Sequence, residues 1–178
     1  MAAKSKPLVL GCDAIDTATG CKGRLTIRYD QFNGNIMWAL QPMVPKGKNE
    51  IPEAYFIDHF TLRRTGDGVS GSVPPIDDTV TIQIGDKVED ILTHYQGVVM
   101  EKCTYLNGCV RFSVHGEIPK DSENGLPPKG IAFEHQRLKR IGEGIPRPEG
   151  AEPEKAGQKS DKRPTGGPSF KVSSLERR

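Results

Sequence analysis

Aromatic side chains and long apolar runs are what this chain has least of. Aromatics make up 6% of its 178 residues, with one tryptophan, and 35% hydrophobic content suits two very small cores better than one large one. No apolar run approaches the roughly 18 residues of a bilayer span. The amino-terminal residues 1–6 also lack the apolar stretch of a secretory signal, so neither membrane insertion nor signal-directed export is expected. The four cysteines, Cys12, Cys21, Cys103 and Cys109, form no C-x-x-C pair, which excludes a zinc ribbon or a thioredoxin-like motif and predicts reduced, half-buried thiols. A Cys103–Cys109 disulfide would need matching strand register across a hairpin. Charge of one sign is lacking too: a formal net charge of +2 does not by itself imply a nucleic-acid partner.

Catalytic signatures are equally sparse. No Ser-His-Asp pattern, nucleophile elbow, HExxH or Walker motif occurs. The four histidines are His59, His94, His115 and His135, and the repeated pairs Asp58-His59 and Glu134-His135 are the best acid-base candidates. A histidine packed against the final strand explains that pairing more simply, so no catalysis, metal or cofactor is expected.

What is abundant is turn chemistry, with 20 glycines and 14 prolines. They punctuate an internal repeat. Leu10-Gly11 and Gly23-Arg24-Leu25 align with Ile84-Gly85 and Gly97-Val98-Val99, and the same offset sets Asn33-Gly34 on Asn107-Gly108 and Pro45-Lys46 on Pro119-Lys120. After a short insertion, Ile57-Asp58-His59 matches Phe133-Glu134-His135, Leu62 matches Leu138, and Arg64 through Val69 match Arg140 through Ile145. Matched turns and prolines in one order over most of two copies point to duplication.

Each copy reads as several short strands. Residues 79–84 alternate as a half-buried strand does, residues 97–105 form the next strand, and 109–115 alternate again with Val110, Phe112 and Val114 on one face. Asn33-Gly34 and Asn107-Gly108 are read as hairpin turns of type I′, in which both residues take positive φ. Residues 131–141 fit neither period cleanly and are read as a helical turn leading into a strand over 137–141. The resulting expectation is an all-β chain of two tandem small SH3-like barrels, residues 7–69 and 79–145, joined by a linker at 70–78 and followed by a disordered Pro/Gly-rich basic tail at 146–178.

Candidate binding residues are cationic or lie in the tail: Arg63, Arg64, Arg137, Arg140, Lys46, Lys120 and Phe170. Lys46 and Lys120 open the duplicated loops 46–53 and 120–130, long enough to be functional. Tyr29, Phe32, Trp38 and Tyr105 are candidate stacking surfaces, with burial of Trp38 and Phe112 in a core as the plainer alternative. Phe170 stands alone in residues 165–172, a segment that suits a docking arm as well as a solubilising tail.

The run Gly85-Asp86-Lys87-Val88, Gly97-Val98-Val99, Tyr105-Leu106-Asn107-Gly108-Cys109-Val110-Arg111-Phe112, then Phe133-Glu134-x-x-Arg137-Leu138 and Gly166-Gly167-Pro168 resembles a group of small proteins of tailed bacteriophages, about one barrel long. The second copy carries the resemblance; the first departs from it at Met37 and Trp38. The resemblance implies phage origin and brings no catalytic residues with it. The leading expectation is therefore a non-enzymatic phage structural or accessory protein that binds a phage or host protein surface. Its most concrete form is capsid decoration, with a location in the virion or host cytoplasm and a homo-oligomer as a candidate assembly. The second reading is an anti-defence protein that sequesters a host nucleotide signal through phosphate-binding arginines. The third is a small barrel that binds nucleic acid.

Overall fold

Strands form where apolar residues alternate, and glycine or asparagine turns end them. The computed structural model describes residues 6–76, 79–118, 120 and 128–148, and everything said here concerns those residues. The first half holds β1 (Asp13–Asp16), β2 (Lys22–Gln31), β3 (Ile36–Gln41), β4 (Tyr55–Asp58) and β5 (Leu62–Gly66), with a 3-10 turn at His59–Thr61 between the last two. The second half holds β6 (Lys87–Asp90), β7 (Gln96–Tyr105), β8 (Val110–His115), β9 (Ile131–Glu134) and β10 (Leu138–Gly142), with a 3-10 turn at His135–Arg137 in the same place. A further 3-10 turn, Ser70–Ser72, lies in the connection.

The fold is all-β and its strand pairs are antiparallel. In each half the fifth strand returns to the first, so the hydrogen-bonded orders are β5-β1-β2-β3-β4 and β10-β6-β7-β8-β9. One seam joins the halves into a 10-stranded sheet: β2 pairs with β7, with Ile27 opposite Tyr105, Tyr29 opposite Cys103 and Gln31 opposite Glu101. Glu101 is the repeat counterpart of Ile27, and Tyr105 that of Gln31, so the seam is pseudo-two-fold about Tyr29 and its counterpart Cys103. The flanking bonds obey the same symmetry, Phe32 N–H to the Met100 carbonyl at 2.8 Å and Leu106 N–H to the Thr26 carbonyl at 2.9 Å.

Each half encloses its own apolar cluster. Cys12, Ala14, Leu25, Trp38, Leu40 and Leu62 form the first; Ile82, Val88, Val99, Val110, Phe112, Val114, Phe133 and Leu138 form the second. Trp38 and Phe112 occupy equivalent positions and are fully buried, which removes Trp38 as a stacking surface for a base.

Three local expectations are corrected. Residues 79–84 join no strand ladder, although Ile82 is buried and Val80 and Ile84 pack against the core; their alternation reports which side chains point inward, not backbone pairing. Residues 131–141 run strand, 3-10 turn, strand, because the chain must turn a corner between β9 and β10. The hairpins at Asn33-Gly34 and Asn107-Gly108 are not type I′: only the glycines take positive φ, 85° and 81°. Gln31 and Asn35, like Tyr105 and Cys109, close a three-residue loop in which each Asn side chain accepts a backbone N–H two residues on, at 3.0 Å. Register settles the thiols: Cys103 lies opposite Arg111 and Tyr105 bonds to Cys109, so Cys103 and Cys109 sit diagonally and all four cysteines are free.

Part of the segment assigned to the tail is built into the fold. Arg147 Nη2 donates to the Gln31 carbonyl at 3.1 Å, just beyond Ile145, the last residue of the second copy, whose N–H bonds to the Gly85 carbonyl at 2.9 Å as Val69 N–H bonds to the Gly11 carbonyl at 2.8 Å. Residues 149–178, Phe170 among them, lie outside the described residues.

Candidate functional site

Three of the six cations singled out from the sequence, Arg64, Arg137 and Arg140, hold the fold together. Asp90 ends β6 with a fully buried side chain, and Arg137 clamps it with Nε at 3.0 Å and Nη2 at 2.8 Å. Thr93 adds its backbone N–H at 3.0 Å. The Arg137 guanidinium is the chief cause of the Asp90 carboxyl being held down at about 2. The equivalent Asp16 has no arginine; hydrogen bonds from Thr19, then Thr61, lower its pKa instead. Arg140 pairs with Asp86 at 2.8 Å, and Arg64 reaches Asp67 at 2.8 Å and the Pro7 carbonyl at 2.8 Å.

Arg63, Lys46 and Lys120 are exposed. Arg63 and Arg64 lie on β5 while Arg140 lies on β10, and β5 and β10 are the two ends of the strand order, so the arginines do not converge on one site. The cavity beside the seam, about 300 Å³, is lined by Gln31, Phe32, Asn33, Met100, Glu101, Ser113 and His115, with no lysine or arginine among the described lining residues to meet a phosphate. A second hollow of about 390 Å³ lies between residues 79–82 and β10, where Arg140 and Lys139 contribute.

The repeated acid-histidine pairs do not work as pairs. Trp38 Nε1 donates to His59 Nδ1 at 3.1 Å, whereas the Asp58 carboxylate caps the following turn by accepting the Phe60 N–H at 2.9 Å. In the second half Glu134 pairs with Arg111 at 3.1 Å, while His135 is buried. Among the described residues no group of three or more His, Cys, Asp or Glu is placed to hold a metal, and no helix is long and apolar enough to cross a membrane.

What the sequence reading missed is the apolar edge of the first half. Tyr55, Phe56 and Phe60 are 54%, 62% and 85% exposed along β4 and the 3-10 turn that follows it. Met43 and Ile51, in the loop leading into β4, are exposed as well. Among the described residues β4 pairs with β3 alone, so this strand is an open edge. Phe56 packs edge-on against Tyr29 at 5.5 Å, which ties the patch to the centre of the seam; burial there pushes the Tyr29 hydroxyl up to about 12.

The duplication supplies an internal control. By the repeat alignment Phe56 corresponds to Ala132 and Phe60 to Gln136, on elements of the same kind and order. The fold therefore does not require aromatics at either position, and the signal lay in the departure of one copy from the other. Comparison with known proteins finds no family model, no curated protein and no solved structure that matches this chain.

Proposed function

We propose that this chain is a non-enzymatic structural or accessory protein that works by protein–protein contact. In its concrete form it is a component of a bacteriophage virion shell, built from two tandem SH3-like barrels over residues 7–69 and 79–145. What supports the barrel reading is the strand circuit: five antiparallel strands per half, the fifth returning to the first after a 3-10 turn, around a separate apolar cluster. The virion assignment rests on the resemblance carried by the second copy.

The observation that carries protein contact is the pair Phe56 and Phe60, held in solvent on an open edge where the sister repeat has Ala132 and Gln136. Solvent-exposed aromatics on a sheet edge are an association site unless something covers them. A shell provides neighbouring subunits that would do so. The test is mass spectrometry of gradient-purified particles beside infected-cell lysate, counting copies per particle. Many copies support the virion role, and presence in lysate alone removes it. A Phe56→Ala/Phe60→Gln chain that still enters particles at the wild-type copy number would remove the patch as the contact.

A further inference from the structure

The edge patch has the geometry of a self-contact. We propose that two copies of this chain pair through their β4 edges around a two-fold axis, with Tyr55, Phe56 and Phe60 at the centre and the 42–54 loop on the flank. This rests on the reading of that edge as a protein contact and names the protein that covers it.

Area is the first argument. An aromatic side chain offers about 150–250 Å² when fully exposed. At the exposures of Tyr55, Phe56 and Phe60 the trio presents about 400 Å², and Met43 and Ile51 extend it toward the roughly 800 Å² per partner of a stable interface.

Shape is the second. Along the edge the patch runs from the loop aliphatics Met43 and Ile51, through Tyr55 and Phe56, to Phe60. A two-fold centred on β4 reverses that order, so Phe60 of one copy would meet the aliphatic end of the other. Isologous contacts demand this self-complementarity.

Charge is the third. The loop carries Lys46, Lys48, Glu50 and Glu53, two of each sign, none in an ion pair among the described residues. A surface balanced in this way does not repel its own copy, whereas a strongly charged partner would find nothing to match. The chain already uses the same mode internally, since β2 and β7 are equivalent strands paired antiparallel about a pseudo-two-fold.

Sedimentation velocity on the full-length chain tests the idea. The expected result is a concentration-dependent species of twice the 19.5 kDa chain mass. The double variant Phe56→Ala/Phe60→Gln carries the residues of the sister repeat, so it should keep the wild-type circular dichroism and melting temperature while sedimenting as a monomer. Leu92→Asp, at an exposed apolar position in the second half, should leave the dimer intact. A wild-type chain that is monomeric at every concentration, or a double variant that stays dimeric, overturns the proposal. If the wild type is monomeric yet the double variant loses its place in particles, the patch remains a protein contact and only self-pairing falls; if particle incorporation is also unchanged, both readings fall.

Discussion

At the scale of single residues, the two copies solve one problem in two ways. A carboxylate buried at the end of the first strand must have its charge met, and Asp16 is met by threonines while Asp90 is met by Arg137 and Thr93. Because the Asp90 carboxyl sits at about 2 when folded, against about 3.9 for an ordinary aspartate, the unfolded chain binds the proton more readily. The stability contributed by this ionised group is complete above about pH 4 and is lost as pH falls toward 2. Thermal melts between those limits should show Asp90→Asn less stable than wild type at the upper end and less sensitive to acid; parallel curves would mean the pair contributes nothing through ionisation. Gly108 is a second test. Its φ of 81° is left-handed and an added Cβ would come within 3.1 Å of the Pro75 carbonyl, so Gly108→Val should cost about 1–2 kcal/mol or more in chemical denaturation. Asn107→Val, which loses one hydrogen bond to the Cys109 N–H, should cost about 0.5–1.5 kcal/mol.

At the scale of elements, the repeat and its Asn-Gly hairpins were legible in the sequence because turns and inward-facing side chains are written locally. What was not legible was whether an alternating segment finds a partner strand. Residues 79–84 alternate as cleanly as β8, yet they join no strand ladder among the described residues, and their apolar side chains pack on the core all the same. Ile82→Ala should therefore cost about 2–5 kcal/mol, as in a strand, when measured by denaturant midpoint. A cost below the range would mean the segment only brushes the core. The arginines were legible as residues but not as partners. Arg137 and Arg140 read as free cations until the fold places Asp90 and Asp86 beside them, residues distant in sequence that only strand pairing between β10 and β6 brings near. The aromatic edge was written in the sequence too, in the substitutions Ala132 and Gln136 between copies, but a difference between repeats has no meaning until the fold shows both positions on equivalent edges.

At the scale of the whole molecule, the seam decides whether the two halves behave as one. Residues 27–30 of β2 pair with β3 on one side and with β7 on the other, and Cys103 and Thr104 are buried along that line. Unfolding one half would strip the other of a strand partner and leave its seam N–H and carbonyl groups unpaired beside newly exposed apolar surface. The halves should therefore melt together. The single tryptophan makes this measurable, since Trp38 lies in the core of the first half alone. Phe112→Ala, which empties the equivalent position in the second half, should destabilise that core by about 3–5 kcal/mol. With a coupled sheet, the fluorescence transition of Trp38 moves to lower denaturant by the same amount as the circular dichroism of the whole chain. With independent halves, Trp38 reports the wild-type midpoint while circular dichroism splits into two steps, and the seam is then a contact between two separately stable halves.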